Sequence, residues 1–431
     1  MRLLNIITGL VGFAGFASTT ATQYGLPKHR SYRYGAGNAK RELQTTKQNR
    51  NFLPGRAGDV GEIIKPKVMI VAMFDLEANA FLNNNMPSLY GVNVTVPGFS
   101  PLYPQVHCTS AGDICHMTTG EGEINAAASV SALTYSRLFD LTNTYFLIGG
   151  VSGINPYFGT TGSVTFPRYA VQLTLQYEID SRQLPNGGGG FSSGYFTLVS
   201  FGLEYDATWV NGLLNISSGS LGTKTFKNNV YPSVIYGTEV FELNDALRKR
   251  AFSVAKQAKL QDTDEAAAYR KKYQFSPAKD PPGVVMCDTG TADTWWTGSI
   301  LADAFSNLTN LLTNGTGQYC TTQQEDNAIL AVLVRAAAAE LVDFARIVVM
   351  RTGSDFDRAP PGTDELYNLL QAPQGGFPSA LANIYVAGVE VANDIVRNWQ
   401  SAFENGIQPT NYIGDILNTL GSPNGYKPDI G

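Results

Sequence analysis

Residues 118 to 153 read TTGEGEINAAASVSALTYSRLFDLTNTYFLIGGVSG. A small-residue loop opens into an Ala/Ser-rich stretch of helical character, Gly122 to Phe139. An apolar strand, Tyr145 to Ile148, follows and is expected to run into a second glycine turn. Glycine lets backbone amides approach a ligand closely, and a loop feeding a helix N-terminus presents N–H groups that lack intrahelical partners. Two such loops, one on each side of a helix, outline a small-molecule pocket at the edge of an α/β sheet.

The rest of the chain repeats this alternation. Lys67 to Met73, KVMIVAM, is a continuous apolar run with β-branched residues, as expected for a strand covered on both faces. A helix is predicted over Leu76 to Leu82, and strands over Ser163 to Ile179 that end in a glycine loop, Pro185 to Gly190. Helices are predicted over Phe241 to Lys259, Thr263 to Lys272, Asn327 to Ala345 and Leu381 to Phe403. Strands are predicted over Val284 to Met286 and Arg346 to Arg351. The expectation is an α/β fold of three layers, α/β/α, with one mixed central sheet and no internal repeat.

At 431 residues and 43% hydrophobic content the chain is long and apolar enough for a sizeable core. The net charge is −5, and the longest basic cluster, Arg248-Lys249-Arg250, sits in mixed-charge helical sequence and is expected to be a solvated helix face. No nucleic-acid surface is expected. Arg2, an apolar run from Leu3 to Ala17, and small polar residues allowing cleavage after Ala17 or Ala21 have the layout of a secretory signal peptide, with an uncleaved anchor as the alternative. The expected organisation is therefore a leader at 1–21, a Gly- and Arg-rich propeptide or arm at 22–62, and one domain at 63–431. No later segment is expected to cross a bilayer.

Asn93, Asn215, Asn307 and Asn314 open Asn-x-Ser/Thr acceptors, in keeping with a secreted or cell-wall glycoprotein. In an oxidising compartment the four cysteines are expected to form two disulfides. Of the three pairings, Cys108–Cys115 with Cys287–Cys320 closes the smallest loops and is preferred. His107 and His116 fit no standard zinc spacing, so neither metal nor other cofactor is expected.

Acidic residues stand just beyond the apolar runs, where α/β sheets place ligands: Asp75 and Glu77, Glu325 and Asp326, Asp355 and Asp357. Each alone reads as a helix cap or surface carboxylate. As a set they are natural acid/base groups in a chain with three histidines, because burial can push their pKa values apart. The glycine loop carries Glu121 and Glu123, whose charges oppose a bound phosphate, so a neutral, hydroxyl-rich ligand suits it better. Asp288-Thr289-Gly290 has the look of an aspartic-protease loop, but no second Asp-Thr/Ser-Gly occurs and the α/β alternation contradicts that fold.

Six strings, KVMIVAMFDLEA, TTGEGEINAAAS, YFLIGGVSGINP, FGTTGSVTFPRYAVQ, QQEDNAIL and VVMRTGSDFD, occur in an order that resembles the fungal purine nucleoside permease family. Sequences of that family are similar to the nucleoside phosphorylase and nucleosidase superfamily, and the resemblance runs from Lys65 to the C-terminus. It implies a nucleoside phosphorylase-like domain. By the same resemblance Asp75 activates water, with Glu77 able to serve instead. Glu325 grips the ribose hydroxyls, and Asp355, following Ser354, protonates the leaving purine. Thr119, Gly120, Ser152 and Gly153 line the sugar and water side, and Thr289, Trp295 and Trp296 the base. Where phosphorylases carry a phosphate-binding arginine before the glycine turn, this chain has Ile148.

The expected activity is hydrolysis of purine ribonucleosides to base and ribose by a secreted protein; superfamily members often form dimers to hexamers, and whether this chain forms a homo-oligomer is left open by its sequence. The alternatives are a nucleoside-binding protein serving transport, and a phosphate-dependent phosphorylase.

Overall fold

The computed structural model describes residues 63–84, 87–178, 180, 195–197 and 235–428. The expected leader, the arm, the 185–190 loop and Asn215 lie outside them. In chain order the strands are β1 (Val68–Ala72), β2 (Val92–Thr95), β3 (Gln105–Cys108), β4 (Ile114–Thr118), β5 (Tyr145–Ile154), β6 (Val164–Thr165), β7 (Tyr169–Gln172), β8 (Gln176–Glu178) and β9 (Tyr195–Thr197). They continue with β10 (Val240–Glu242), β11 (Val284–Val285), β12 (Asp288–Thr291), β13 (Tyr319–Gln323), β14 (Ile347–Phe356) and β15 (Gly414–Asp415). The α-helices are α1 (Asp75–Leu82), α2 (Glu123–Thr134), α3 (Asp245–Ala255), α4 (Asp264–Arg270), α5 (Ser299–Leu312), α6 (Asp326–Ala338), α7 (Glu365–Leu370) and α8 (Gly376–Arg397).

Thirteen strands form one mixed sheet in the order β15-β10-β7-β12-β13-β5-β1-β4-β3-β2, with β14 joined to β5 and β6, and β11 to β6. Its centre is parallel: β1 lies between β4 and β5, and β14 runs along β5 from Phe146 to Ile154. β13 is antiparallel to β5 and meets only its end, pairing Thr322 with Gly153. Apolar side chains of β1, β5 and β14 point to both faces, so both must be covered. α2 and α6 pack on one face through Val130, Leu133, Ile329 and Leu333. Phe81 of α1, Leu247 of α3 and Ile384, Ala387 and Val391 of α8 cover the other. The fold is thus the expected three-layer α/β/α arrangement.

Local chemistry sets the helix starts. Asn244 accepts from the Ala246 and Leu247 amides ahead of α3, and Thr263 from the Ala266 amide ahead of α4. Cys108 pairs with Cys115 and Cys287 with Cys320, the first across neighbouring positions of β3 and β4. Asn93 and Asn314 are exposed and Asn307 is half-buried on α5.

Four expectations need correction. The GGVSG string is not a turn: β5 continues through it to Ile154, held by β14 along its whole length. Its glycines serve close approach, since a methyl at Gly150 would stand 2.7 Å from both Arg351 Nη1 and Glu77 Oε1. α2 stops at Thr134 and α6 at Ala338, short of Phe139 and Ala345; just beyond α6, Glu340 takes a left-handed φ of 59°. The Arg248-Lys249-Arg250 cluster is not merely a solvated face. Arg248 and Lys249 pair with Asp245, while Arg250 bridges to Asp394 on α8. Finally α5, α7, β4, β12, β13, β15 and the β2–β3 hairpin occur where no element was predicted, and the helix expected from Phe241 starts only at Asp245, after strand β10.

Candidate active site

Glu77 lies in the first turn of α1, and its chain folds back over the helix start. Oε2 accepts from the Met73 amide at 2.8 Å and Oε1 from the Val151 amide at 2.7 Å. It is 1% exposed. Burial pushes its pKa from 4.5 up to about 8, with Arg351 opposing and Glu325 adding to the rise.

Arg351 stands in the middle of β14 and is fully buried. Asp326, the first residue of α6, takes it in a fork: Nη2 to Oδ1 at 2.6 Å and Nε to Oδ2 at 3.2 Å. Nη2 is also 3.5 Å from Glu325 Oε2, and Nη1 donates to the Val151 carbonyl at 3.3 Å. Glu325, at the N-cap of α6, reaches across with Oε1 to accept from the Gly122 amide at 3.0 Å. Its pKa is raised by burial, with Arg351 holding it down. The first turn of α2 is thereby occupied from within, because the next amide, Glu123, donates to Asp293 Oδ1 at 2.7 Å. Glu123 itself is pushed up to about 7 by burial, then by Asp293, with Gln172 opposing and Glu325 adding.

A second group lies three positions along β5, roughly 10 Å away by strand rise. Asp355, half-buried at the end of β14 after a β-bulge, is pushed up to about 6 by desolvation, against the Ser354 hydroxyl 2.6 Å from Oδ1. Ser354 Oγ is also 3.0 Å from the Ser152 carbonyl. A methyl at Gly153 would stand 2.4 Å from Thr322 Oγ1 and 3.7 Å from Asp355 Oδ2, so glycine there leaves room beside the carboxylate. The Ser152 hydroxyl is buried without a protein partner.

The remaining named residues fall in different places. Asp75, half-buried, accepts from its neighbour Leu76 at 3.0 Å and faces Glu121 rather than the Arg351 network; the carboxyl beside Arg351 is that of Glu77. Thr119 is buried with its hydroxyl turned to the Gly120 carbonyl at 2.8 Å, so the side chain is spent on the loop it starts. Gly120 has φ 89° and packs on Asn125, which makes it a turn residue.

Thr289 is buried in β12 and accepts from Gln323 at 3.2 Å. Its neighbour Asp288 accepts three backbone amides, from Arg168, Tyr169 and Gln318, and so ties strands together rather than sharing a proton. Trp296 packs edge-on to Phe305 and donates to Tyr319, making it core of the α5 layer. Trp295 is 61% exposed and donates to Gln324, next to Glu325, so it remains at the rim.

The sequence marks Asp326 only as one of a set of acid/base carboxylates, and nothing in the strings above singles out Arg351. The usable signal was the arginine inside IVVMRTG: a charge in a run destined for burial on both faces must have a buried partner.

Among the described residues no helix is long and apolar enough to cross a membrane. By structure the chain is similar to a 5'-methylthioadenosine/S-adenosylhomocysteine nucleosidase from Neisseria meningitidis. The TM-score is 0.41 at 13% identity, covering 77% of this chain and 100% of the other. It is also similar to the futalosine hydrolase of Helicobacter pylori, with a TM-score of 0.40 at 10% identity over 77% and 98% of the two chains. By sequence it is 42% identical over 393 residues to the purine nucleoside permease of Candida albicans, covering 90% of this chain and 88% of that one. To a probable purine nucleoside permease of Schizosaccharomyces pombe it is 46% identical over 353 residues, 81% and 94% of the two chains. The family model described as purine nucleoside permease matches residues 65–408, and with relatives of this identity and coverage the chain belongs to the purine nucleoside permease family.

Proposed function

We propose that this protein hydrolyses the N-glycosidic bond of purine ribonucleosides, with Glu77, Glu325 and Asp355 as its working carboxyls. The observation that carries the reading is the placing of two carboxyl groups with raised pKa values along one strand pair. Glu77 is beside Gly150 and Asp355 beside Gly153. Positions three apart on a strand face opposite sides of the sheet, so in this reading the nucleoside lies across the carboxyl ends of β5 and β14, sugar toward Glu77 and Glu325, base toward Asp355. The relatives' name, purine nucleoside permease, supplies the ligand class.

In this reading ionised Glu77 draws a proton from water as the water oxygen bonds to C1′ of the sugar. The C1′–N9 electron pair leaves with the purine, and protonated Asp355 gives its proton to the imidazole nitrogen of that leaving group. Solvent then resets both carboxyls. Glu325 keeps acceptor capacity for the ribose hydroxyls beyond its bond to Gly122.

Water rather than phosphate is favoured as the nucleophile. The α2 N-terminus, which could cradle an anion, already donates to Glu325 and Asp293, and the Arg351 charge is taken up by the Asp326 fork. Two disulfides support action in an oxidising compartment outside the cytosol.

The second reading, a nucleoside-binding protein that serves a carrier, is favoured by the relatives' name together with the absence of a membrane-crossing helix among the described residues. Both are tested by incubating purified protein with inosine, adenosine or guanosine, with and without phosphate. Free base and free ribose, formed equally without phosphate, are expected. Ribose phosphate appearing only with phosphate would overturn the choice of nucleophile. Saturable binding with intact nucleoside would replace hydrolysis by the carrier reading.

A further inference from the structure

Asp326 is fully buried. Its carboxylate is used entirely on Arg351, holding Nε and Nη2 in a planar fork. That grip decides where the rest of the guanidinium points. Nη2 comes to 3.5 Å from Glu325 Oε2. Nη1, on the other side, bonds the Val151 carbonyl at 3.3 Å, the residue whose amide binds Glu77. A methyl at Gly150 would meet Nη1 and Glu77 Oε1 at the same 2.7 Å, so the two stand over one glycine.

We propose that Asp326 is a positioning residue: its fork fixes Arg351 between Glu77 and Glu325 and takes up the arginine's charge, so that neither carboxyl is locked as its partner. The proposal rests on the hydrolytic reading above for its purpose, but not for its geometry. Arginine loose in this site would pair with whichever carboxylate it met, because a buried cation needs an anion. With Asp326 as its dedicated anion, Arg351 orients the site and still leaves Glu77 free to exchange a proton. The charged groups facing Glu77 are Arg351 from β14 and Glu325 from the start of α6. Those facing Arg351 are Asp326, Glu325 and Glu77. Removing the Asp326 charge therefore leaves Arg351 to be shared by the two working carboxylates.

The test follows the Glu77 proton without substrate. The protonated carboxyl stretch in the infrared is titrated in each protein and in its Glu77→Gln counterpart, and the difference isolates Glu77. In Asp326→Asn the midpoint is expected to fall by about one pH unit or more, since two nearby carboxylates now share an uncompensated cation. In the double variant Asp326→Ala/Arg351→Met, which removes the buried pair as a unit and so tolerates burial better, the midpoint is expected to rise above that of the unaltered protein. A merely structural role for Asp326 lowers thermal stability and leaves the Asp326→Asn midpoint in place, and that result overturns the proposal. If Asp326→Asn does not fold, Asp326→Glu, which keeps the anion but changes its reach and so loosens the fork, decides, and an unmoved midpoint again overturns it. Nucleoside cleavage is measured on the same samples. Shifted midpoints without cleavage in any sample refute hydrolysis and support the positioning role, whereas cleavage with unshifted midpoints does the reverse.

Discussion

Replacing Glu77 by glutamine separates what burial does to this carboxyl from what the carboxyl does to a substrate. Its pKa moves from 4.5 to about 8 on folding, so ionising it in the native protein takes about 5 kcal/mol more than in water. A carboxyl with a raised native pKa binds its proton more tightly in the folded state. Its contribution to stability is complete below about pH 4.5 and is lost as pH climbs through about 8. Integrated over pH 6 to 9, this one group withdraws about 3 kcal/mol from the native protein.

Glutamine cannot ionise and escapes that loss. It offers one carbonyl to the two amides of Met73 and Val151, however, and one orphaned donor costs about 1–3 kcal/mol. The two effects nearly cancel at pH 6, leaving Glu77→Gln within about 1 kcal/mol of the unaltered protein, and at pH 9 the variant is about 3 kcal/mol more stable. Urea unfolding of both proteins at the two pH values reads this directly. Parallel losses of stability from pH 6 to 9 would refute the reasoning, because they would mean Glu77 ionises no differently in the fold than in water. Nucleoside turnover should meanwhile fall about 10²–10⁴-fold, as for other general bases.

The pH profile of kcat/KM should be a bell. The base needs Glu77 ionised, which grows up to about 8, and the acid needs Asp355 protonated, which fades above about 6. The rate then drops about tenfold per unit below 6 and above 8, and a profile rising without limit to pH 9 would rule out Asp355 as the acid. Asp355→Asn should lose about 10²–10⁴-fold in turnover while Asp75→Asn changes it by less than about twofold; the reverse ranking in a steady-state assay would return the base role to Asp75. Chain-entropy arithmetic makes removal of Cys287–Cys320, with a sequence separation of 33, cost about 4 kcal/mol, and removal of Cys108–Cys115, with a separation of 7, about 2 kcal/mol. Chemical unfolding of the two Cys→Ser pairs checks that order.

What the sequence determined by itself is local or compositional. KVMIVAM and IVVM had to be buried strands because no face of them is polar, and the helices between them had to cover both sides. Asp355 was readable five residues beyond IVVM and Glu325 just ahead of the helix at Asn327, and their separate roles were legible only through the family resemblance. The disulfide pairing followed from loop size.

Tertiary packing decided the rest. Asp75 and Glu77 are two residues apart, which on a helix turns them about 200° from one another, so only one can face the sheet. The sequence does not say which, and the position of α8 and β5 around α1 selects Glu77. Glycines in GGVSG allow either a turn or an extended strand at equal local energy, and β14, distant in sequence, settles it as strand by pairing throughout. Arg351 announced that it needed an anion but not which one. Asp326 and Glu325 reach it only because α6 begins where β13 crosses the end of β5, and that crossing is a property of the assembled sheet, recorded in no single stretch of the chain.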